Sequence, residues 1–169
     1  MDKKELSKIL KNKRSLERKT SFYLKRKILL KQKFSLGEIQ GHAQKAEHNL
    51  NFIKDLSSKY SDWIIVGCYY ACYHIALSLI LKKGYSSKNH DATLCVLIKE
   101  YYSLLGQENI ELLNRIYLDN QDILFYANSK EEREKASYST KIIFGNIDSL
   151  IKGTRFFVNK CKEIIKNEK

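Results

Sequence analysis

The chain has 169 residues, 43% of them apolar, no proline and a formal net charge of +12. That length suits one domain with a real core plus an extension. No apolar run approaches the ~20 residues that span a bilayer, and Met1-Asp2-Lys3-Lys4-Glu5 leads into no uninterrupted apolar stretch. The composition therefore predicts neither a secretory signal nor a transmembrane segment, and the cytoplasm is the expected compartment.

The charge is concentrated at one end. Residues 1–34 carry 13 of the 31 Lys and Arg and a net of +10. The sequence thus divides into a basic N-terminal extension, 1–34, and a nearly neutral domain, 35–166. Within the extension Leu6, Ile9, Leu16, Tyr23 and Leu30 keep a rough three-or-four spacing, which predicts one or two helices with an imperfect apolar face. Lys11, Lys13, Arg14, Arg18, Lys19, Lys25, Arg26 and Lys27, interleaved with Phe22 and Tyr23, suit a nucleic-acid backbone with rings available for stacking. A solvated charged helix serving solubility or packing is the plain alternative, and an anionic membrane surface or an acidic protein would also attract such a segment.

The first helix of the domain is expected to start at Ser35, where Ser35-Leu36-Gly37-Glu38 has capping-box spacing. Ile39, Ala43, Ala46, Leu50 and Ile53 then form one stripe. A second helix, about Asp62 to Lys83, is apolar nearly all round, as expected of a helix buried on several sides. Its length suits a membrane span, but Tyr69, Tyr70, Tyr73 and His74 argue against one. Gly84 is its expected stop. A loop, 85–90, leads to a third helix capped by Asn89 or Asp91 and ending near Gly106. A fourth, about 108–128, carries Ile110, Leu113, Tyr117, Leu124 and Ala127. The last, about 130–166, carries Ile143, Ile147, Leu150, Thr154, Phe157, Cys161 and Ile164 by fours and threes. Short loops between long helices predict an all-α, up-and-down bundle of four to five helices. Cys68, Cys72, Cys95 and Cys161 lie inside apolar helical patterns and are expected as buried structural thiols, with neither metal nor other cofactor.

Tyr69-Tyr70-Ala71-Cys72-Tyr73-His74-Ile75-Ala76, followed by Lys88-Asn89-His90, resembles the Tyr-Tyr-Ala-x-aromatic-His and Lys-x-His signature of HEPN domains. The similar subgroup is that of small prokaryotic HEPN proteins associated with minimal nucleotidyltransferases. Arg133-Glu134-Lys135-Ala136-Ser137-Tyr138 resembles that subgroup's Arg-x-x-Ala-Asp-Tyr segment. The resemblance covers about 38–166 and omits the basic extension. It implies a four- or five-helix bundle, a nucleotidyltransferase partner in a toxin–antitoxin-like pair, and a groove for RNA or nucleotide formed by His74, His90, Arg133 and Tyr138, with Tyr70 and Lys88 as further binding candidates. The subgroup's Arg two residues before the Tyr-Tyr pair is here Gly67, and its Asp before the last Tyr is Ser137.

Ribonuclease members of the superfamily use Arg, four to six residues, then His. None of the six arginines of this chain has His at that spacing. In-line cleavage needs a proton donor or acceptor and a cation for the developing phosphorane charge. The missing motif predicts a non-catalytic or weakly active protein. The alternatives are a metal-independent ribonuclease with an unconventional site on His74 or His90, and a structural homodimer whose last helix makes the interface. The bland readings remain open residue by residue: a core histidine at 74, local capping at 90, a solvated lysine at 88 and a surface ion pair at 133.

Overall fold

The computed structural model describes residues 1–128 and 147–167. Its helices are α1 (Lys3–Lys11), α2 (Lys13–Lys25), α3 (Leu36–Asp55), α4 (Ser61–Lys82), α5 (His90–Asn128) and α6 (Ile147–Asn167). The strands β1 (Leu29–Lys31) and β2 (Tyr85–Ser87) pair antiparallel, Leu30 opposite Ser86. The fold is all-α, a helical bundle with this two-stranded clip at one end.

The predicted punctuation is visible in the backbone. Ser35 Oγ accepts from Glu38 N at 3.4 Å, whereas the Glu38 carboxylate accepts from the Gln32 side chain instead of closing a capping box. Asn89 Oδ1 caps α5 by accepting from Ala92 N at 2.9 Å. Gly84, at φ +71°, ends α4 in the left-handed conformation that a side chain disfavours. Gly106 interrupts α5 with φ 77° and ψ 166°, so the expected third and fourth helices meet end to end.

Helix α4 is the hub. It packs against α3, α5 and α6, and its buried residues run round most of its circumference. The segment Ser58–Lys82 is long and apolar enough by composition to cross a membrane, unlike the expectation from apolar runs, and 78% of its most apolar window is buried within the bundle. The α3 stripe is buried at Ile39, Ala46, Leu50 and Ile53. On α6, Leu150, Thr154, Phe157, Cys161 and Ile164 are buried in the same way. That stripe is used by the bundle's own core. All four cysteines are free and buried, and burial pushes the Cys68 thiol up to about 11 and that of Cys95 to about 12.

The boundary at residue 35 marks no break in this core. Met1, Leu6, Ile9, Leu16, Tyr23 and Leu29 are buried in one cluster with residues of α3, α4, α5 and α6. Burial of six apolar side chains at about 1.5–3 kcal/mol each is enough to hold the segment against the bundle. Polar contacts fix its register. The α-amino group of Met1 pairs with Asp91 at 2.9 Å, and Met1 O accepts from Asn114 Nδ2 at 3.0 Å. The expected one or two helices are α1 and α2, and the last member of the stripe, Leu30, lies beyond a turn in β1. Thin as it is, the apolar stripe of the extension has a partner surface, which a single helix pattern does not reveal.

Candidate functional site

A groove of about 860 Å³ opens where the strand clip meets α3 and α4. Its floor is apolar, with Ile28, Leu77 and Leu81. Its walls carry Lys27, Gln32, Glu38, His42, Tyr73, His74, Ser86, Lys88 and Asn89. His42 comes from α3, His74 from α4, Lys27 from the turn after α2, and Lys88 from the link between β2 and α5.

The two histidines touch. His42 Nδ1 and His74 Nδ1 are 3.0 Å apart and share a hydrogen bond, and their rings lie 5.2 Å centre to centre. Burial lowers the His74 pKa to about 4, with His42 and Lys45 adding to the effect. Burial and Lys45 also lower that of His42, against the opposing pull of Glu38. Both rings are therefore neutral at pH 7. Their shared bond requires one Nδ1–H donor and one bare Nδ1 acceptor. In the neutral pair one ring consequently presents a bare Nε2 and the other an Nε2–H. Tyr70 is 41% exposed beside the pair, its ring stacked 6.2 Å from that of His74.

His90 does not line the groove. Its ring stacks on Tyr117 at 4.2 Å and meets Tyr69 and Tyr73 edge-on. Its Nε2 shares a 3.2 Å hydrogen bond with the Tyr69 hydroxyl, and burial lowers its pKa, with Asp91 opposing. His90 Nδ1 and the Tyr117 hydroxyl have no hydrogen-bond partner among the described residues. The aromatic spacing of the Tyr-Tyr-Ala segment thus builds a packed ring cluster behind the groove, with Tyr73 between its two parts. Of the six residues implied by the resemblance, His74 and Lys88 share the groove, Tyr70 flanks it and His90 stands behind it. Arg133 and Tyr138 lie outside the described residues.

Gly67 has a local reason. A Cβ there would fall 2.2 Å from Ile53 Cγ2 and 3.3 Å from Phe52 Cδ1. Any side chain at this position, where the HEPN subgroup commonly has Arg, would force Ile53 on α3 to shift.

The basic residues of the extension divide in two. Lys19 turns inward, pairing with Glu5 and lying 4.0 Å from Asp91, so it supports the docking of the segment and is not free for a phosphate. Lys11, Lys13, Arg14, Arg18, Lys25, Arg26 and Lys27 are exposed. Arg14, Arg18 and Lys25 line one surface hollow on α2 with Glu17, Ser21 and Phe22, and the Arg26 guanidinium lies 5.7 Å from the Phe22 ring centre. Leu16, Thr20 and Tyr23 face the core from the opposite side of the same helix.

His42 is the groove residue that no sequence motif marks. Its contact with His74 spans 32 positions, and no local pattern announces it. Among the described residues no group of three or more His, Cys, Asp or Glu is arranged to hold a metal.

Compared with family models and with curated protein sequences, the chain matches none. The HEPN resemblance therefore rests on the residues quoted for it.

Proposed function

We propose that this protein is a HEPN-like RNA- or nucleotide-associated module, non-catalytic or weakly active, working in a toxin–antitoxin-like pair with a nucleotidyltransferase. The observation that carries the RNA or nucleotide part is continuity. The exposed basic face of α2 runs directly into the turn that supplies Lys27 to the groove wall. A polyanion on α2 would thus meet Arg14, Arg18 and Lys25, the exposed Phe22 ring, and then a groove with two lysines. Ion pairing with phosphates supplies sequence-independent affinity, and exposed rings accept bases without regard to sequence. The nucleotidyltransferase part is supported by the resemblance alone.

Filter binding of single-stranded RNA against salt tests the reading. The joint variant Arg14→Gln/Arg18→Gln/Lys25→Gln should bind weakly, with the slope of log affinity on log salt reduced by about 2. An unchanged slope refutes a role for this face. Co-purification with a nucleotidyltransferase encoded beside the chain tests the pairing.

A second reading, a metal-independent ribonuclease, is favoured by the His42–His74 contact. A neutral pair that presents one bare ring nitrogen and one N–H offers a base and an acid together, as phosphodiester cleavage requires. Incubation with total RNA decides between them. Cleavage that disappears in folded His42→Ala and His74→Ala variants would establish the second reading over the first.

A further inference from the structure

We propose that the groove is a proton-linked site for a phosphomonoester, in which Lys27 and Lys88 hold the phosphate and the His42–His74 pair takes up a proton on binding. This rests on the RNA or nucleotide reading above and deepens it by naming the ligand group and its linkage.

Three observations converge on it. The first is the tautomer geometry. With one Nδ1–H donating to the other Nδ1 at 3.0 Å, the donor ring has a bare Nε2, whose lone pair repels an anion. One proton on that nitrogen converts the pair into a cation with an N–H on each outer edge. Nothing else in the pair has to move. An incoming dianion stabilises that cation, because charge-assisted hydrogen bonds are about twice as strong as neutral ones.

The second is the charge around the pair. Glu38 and Lys45 stand on α3, and Tyr70 and Tyr73 on α4. Lys27 enters from the turn after α2, and Lys88 from the link after β2. Glu38 is engaged by the Gln32 side chain. The two lysines give the groove an excess of positive charge that a neutral ligand would leave unmatched. Burial keeps both imidazoles neutral without a ligand, so a bound anion is what raises their proton affinity.

The third is Lys27 itself. It is the sole non-glycine residue with positive φ among those described, at +55°. Lys27 N donates to Leu24 O at 3.1 Å and Ile28 N to Tyr23 O at 3.0 Å. Those two bonds form a Schellman motif, whose left-handed position is ordinarily glycine. A lysine kept in a conformation that suits glycine, with its side chain on a groove wall, reads as strain retained at a functional position.

Isothermal titration of the full chain in two buffers of different ionisation enthalpy measures protons taken up per ligand bound. The probes are AMP, a short RNA with a 5′-phosphate, and the same RNA without it. Expected is net uptake that increases from pH 7.5 to 6.5 and disappears in His74→Gln and in His42→Gln. Lys27→Gln and Lys88→Gln should each weaken the phosphorylated probe by about tenfold. Circular dichroism of each variant excludes misfolding, and the ring nitrogen shifts of His42 and His74 in the wild type report the proton directly. Uptake with AMP assigns the site to free nucleotides, and uptake with the phosphorylated RNA alone assigns it to strand ends. Either supports the proposal. Phosphate-independent binding overturns it, and so does binding with unshifted histidine resonances. A chain that binds RNA through α2 but takes neither phosphorylated probe in the groove overturns this inference and leaves the RNA reading standing. Failure of all three probes together with long RNA removes both.

Discussion

Replacing Lys27 by glycine should make the protein more stable and its groove weaker. The left-handed conformation costs a side-chain-bearing residue about 1–2 kcal/mol, and Lys27 holds φ +55°. Glycine removes that cost but adds unfolded-chain freedom, which returns about 0.5–1 kcal/mol. The net gain is about 0.5–1 kcal/mol, which raises Tm by about 1–4 °C for a chain of this size. Lys27→Ala is the control, since it removes the charge and keeps the strain. Thermal melts of the three proteins, beside titrations with a phosphorylated probe, separate the two effects. The two variants should lose the same affinity, and the glycine variant alone should gain stability. If Lys27→Gly melts no higher than Lys27→Ala, the strain argument fails, and with it one of the grounds for a functional Lys27.

Gly67→Arg, which introduces the residue common in the HEPN subgroup that this segment resembles, should destabilise the bundle by about 3 kcal/mol in urea unfolding, because even a Cβ meets Ile53 Cγ2. A fold as stable as the wild type would show that α3 can move away. Tyr69→Phe removes the hydroxyl bonded to His90 Nε2 and should cost about 1 kcal/mol; an unchanged urea midpoint would mean that the bond contributes nothing. The depressed His74 and His42 pKa values make the unfolded chain the better proton acceptor. Stability is therefore complete above the unfolded value near 6.5 and falls as pH drops towards about 4. His74→Gln should flatten urea midpoints measured across that window, and identical slopes would contradict the assignment. Deleting residues 1–34 should unfold the bundle and not merely weaken RNA binding, since Met1, Leu6, Ile9, Leu16, Tyr23 and Leu29 leave the core with it. A truncated chain with native circular dichroism and an unchanged Tm would show that the extension is dispensable.

Local chemistry was legible from residues alone. Asn89 caps α5, Gly84 ends α4, Gly106 breaks α5 and the Ile39-to-Ile53 stripe faces the core, because each depends on a few neighbouring residues. Features that join distant positions were not. The β1–β2 clip brings Leu29 to Ser87, yet three-residue strands have too short a pattern to show a period of two. The docking of α1 and α2 depends on a surface made by other helices, so their thin stripe reads as a weak helix when it is taken alone. The candidate site shows the same division. His74, Lys88 and Tyr70 were implied by the resemblance of their segments to HEPN domains, whereas His42 and Lys27 gain meaning only when α3 and the turn after α2 are folded against α4. Lys19 shows the reverse, since its charge looks like its neighbours' until Glu5 and Asp91 are brought to it.

The turn at residues 26–28 joins two basic surfaces that would otherwise be independent. A strand whose phosphorylated end sat in the groove would hold its remaining phosphates beside α2 at a high effective concentration, so the second contact would cost little further loss of freedom. A mononucleotide would feel only the groove. Substitutions on α2 should then weaken long strands and leave mononucleotides untouched, while a change at Lys27 weakens both. The short turn, more than the number of charges, would then make affinity depend on strand length.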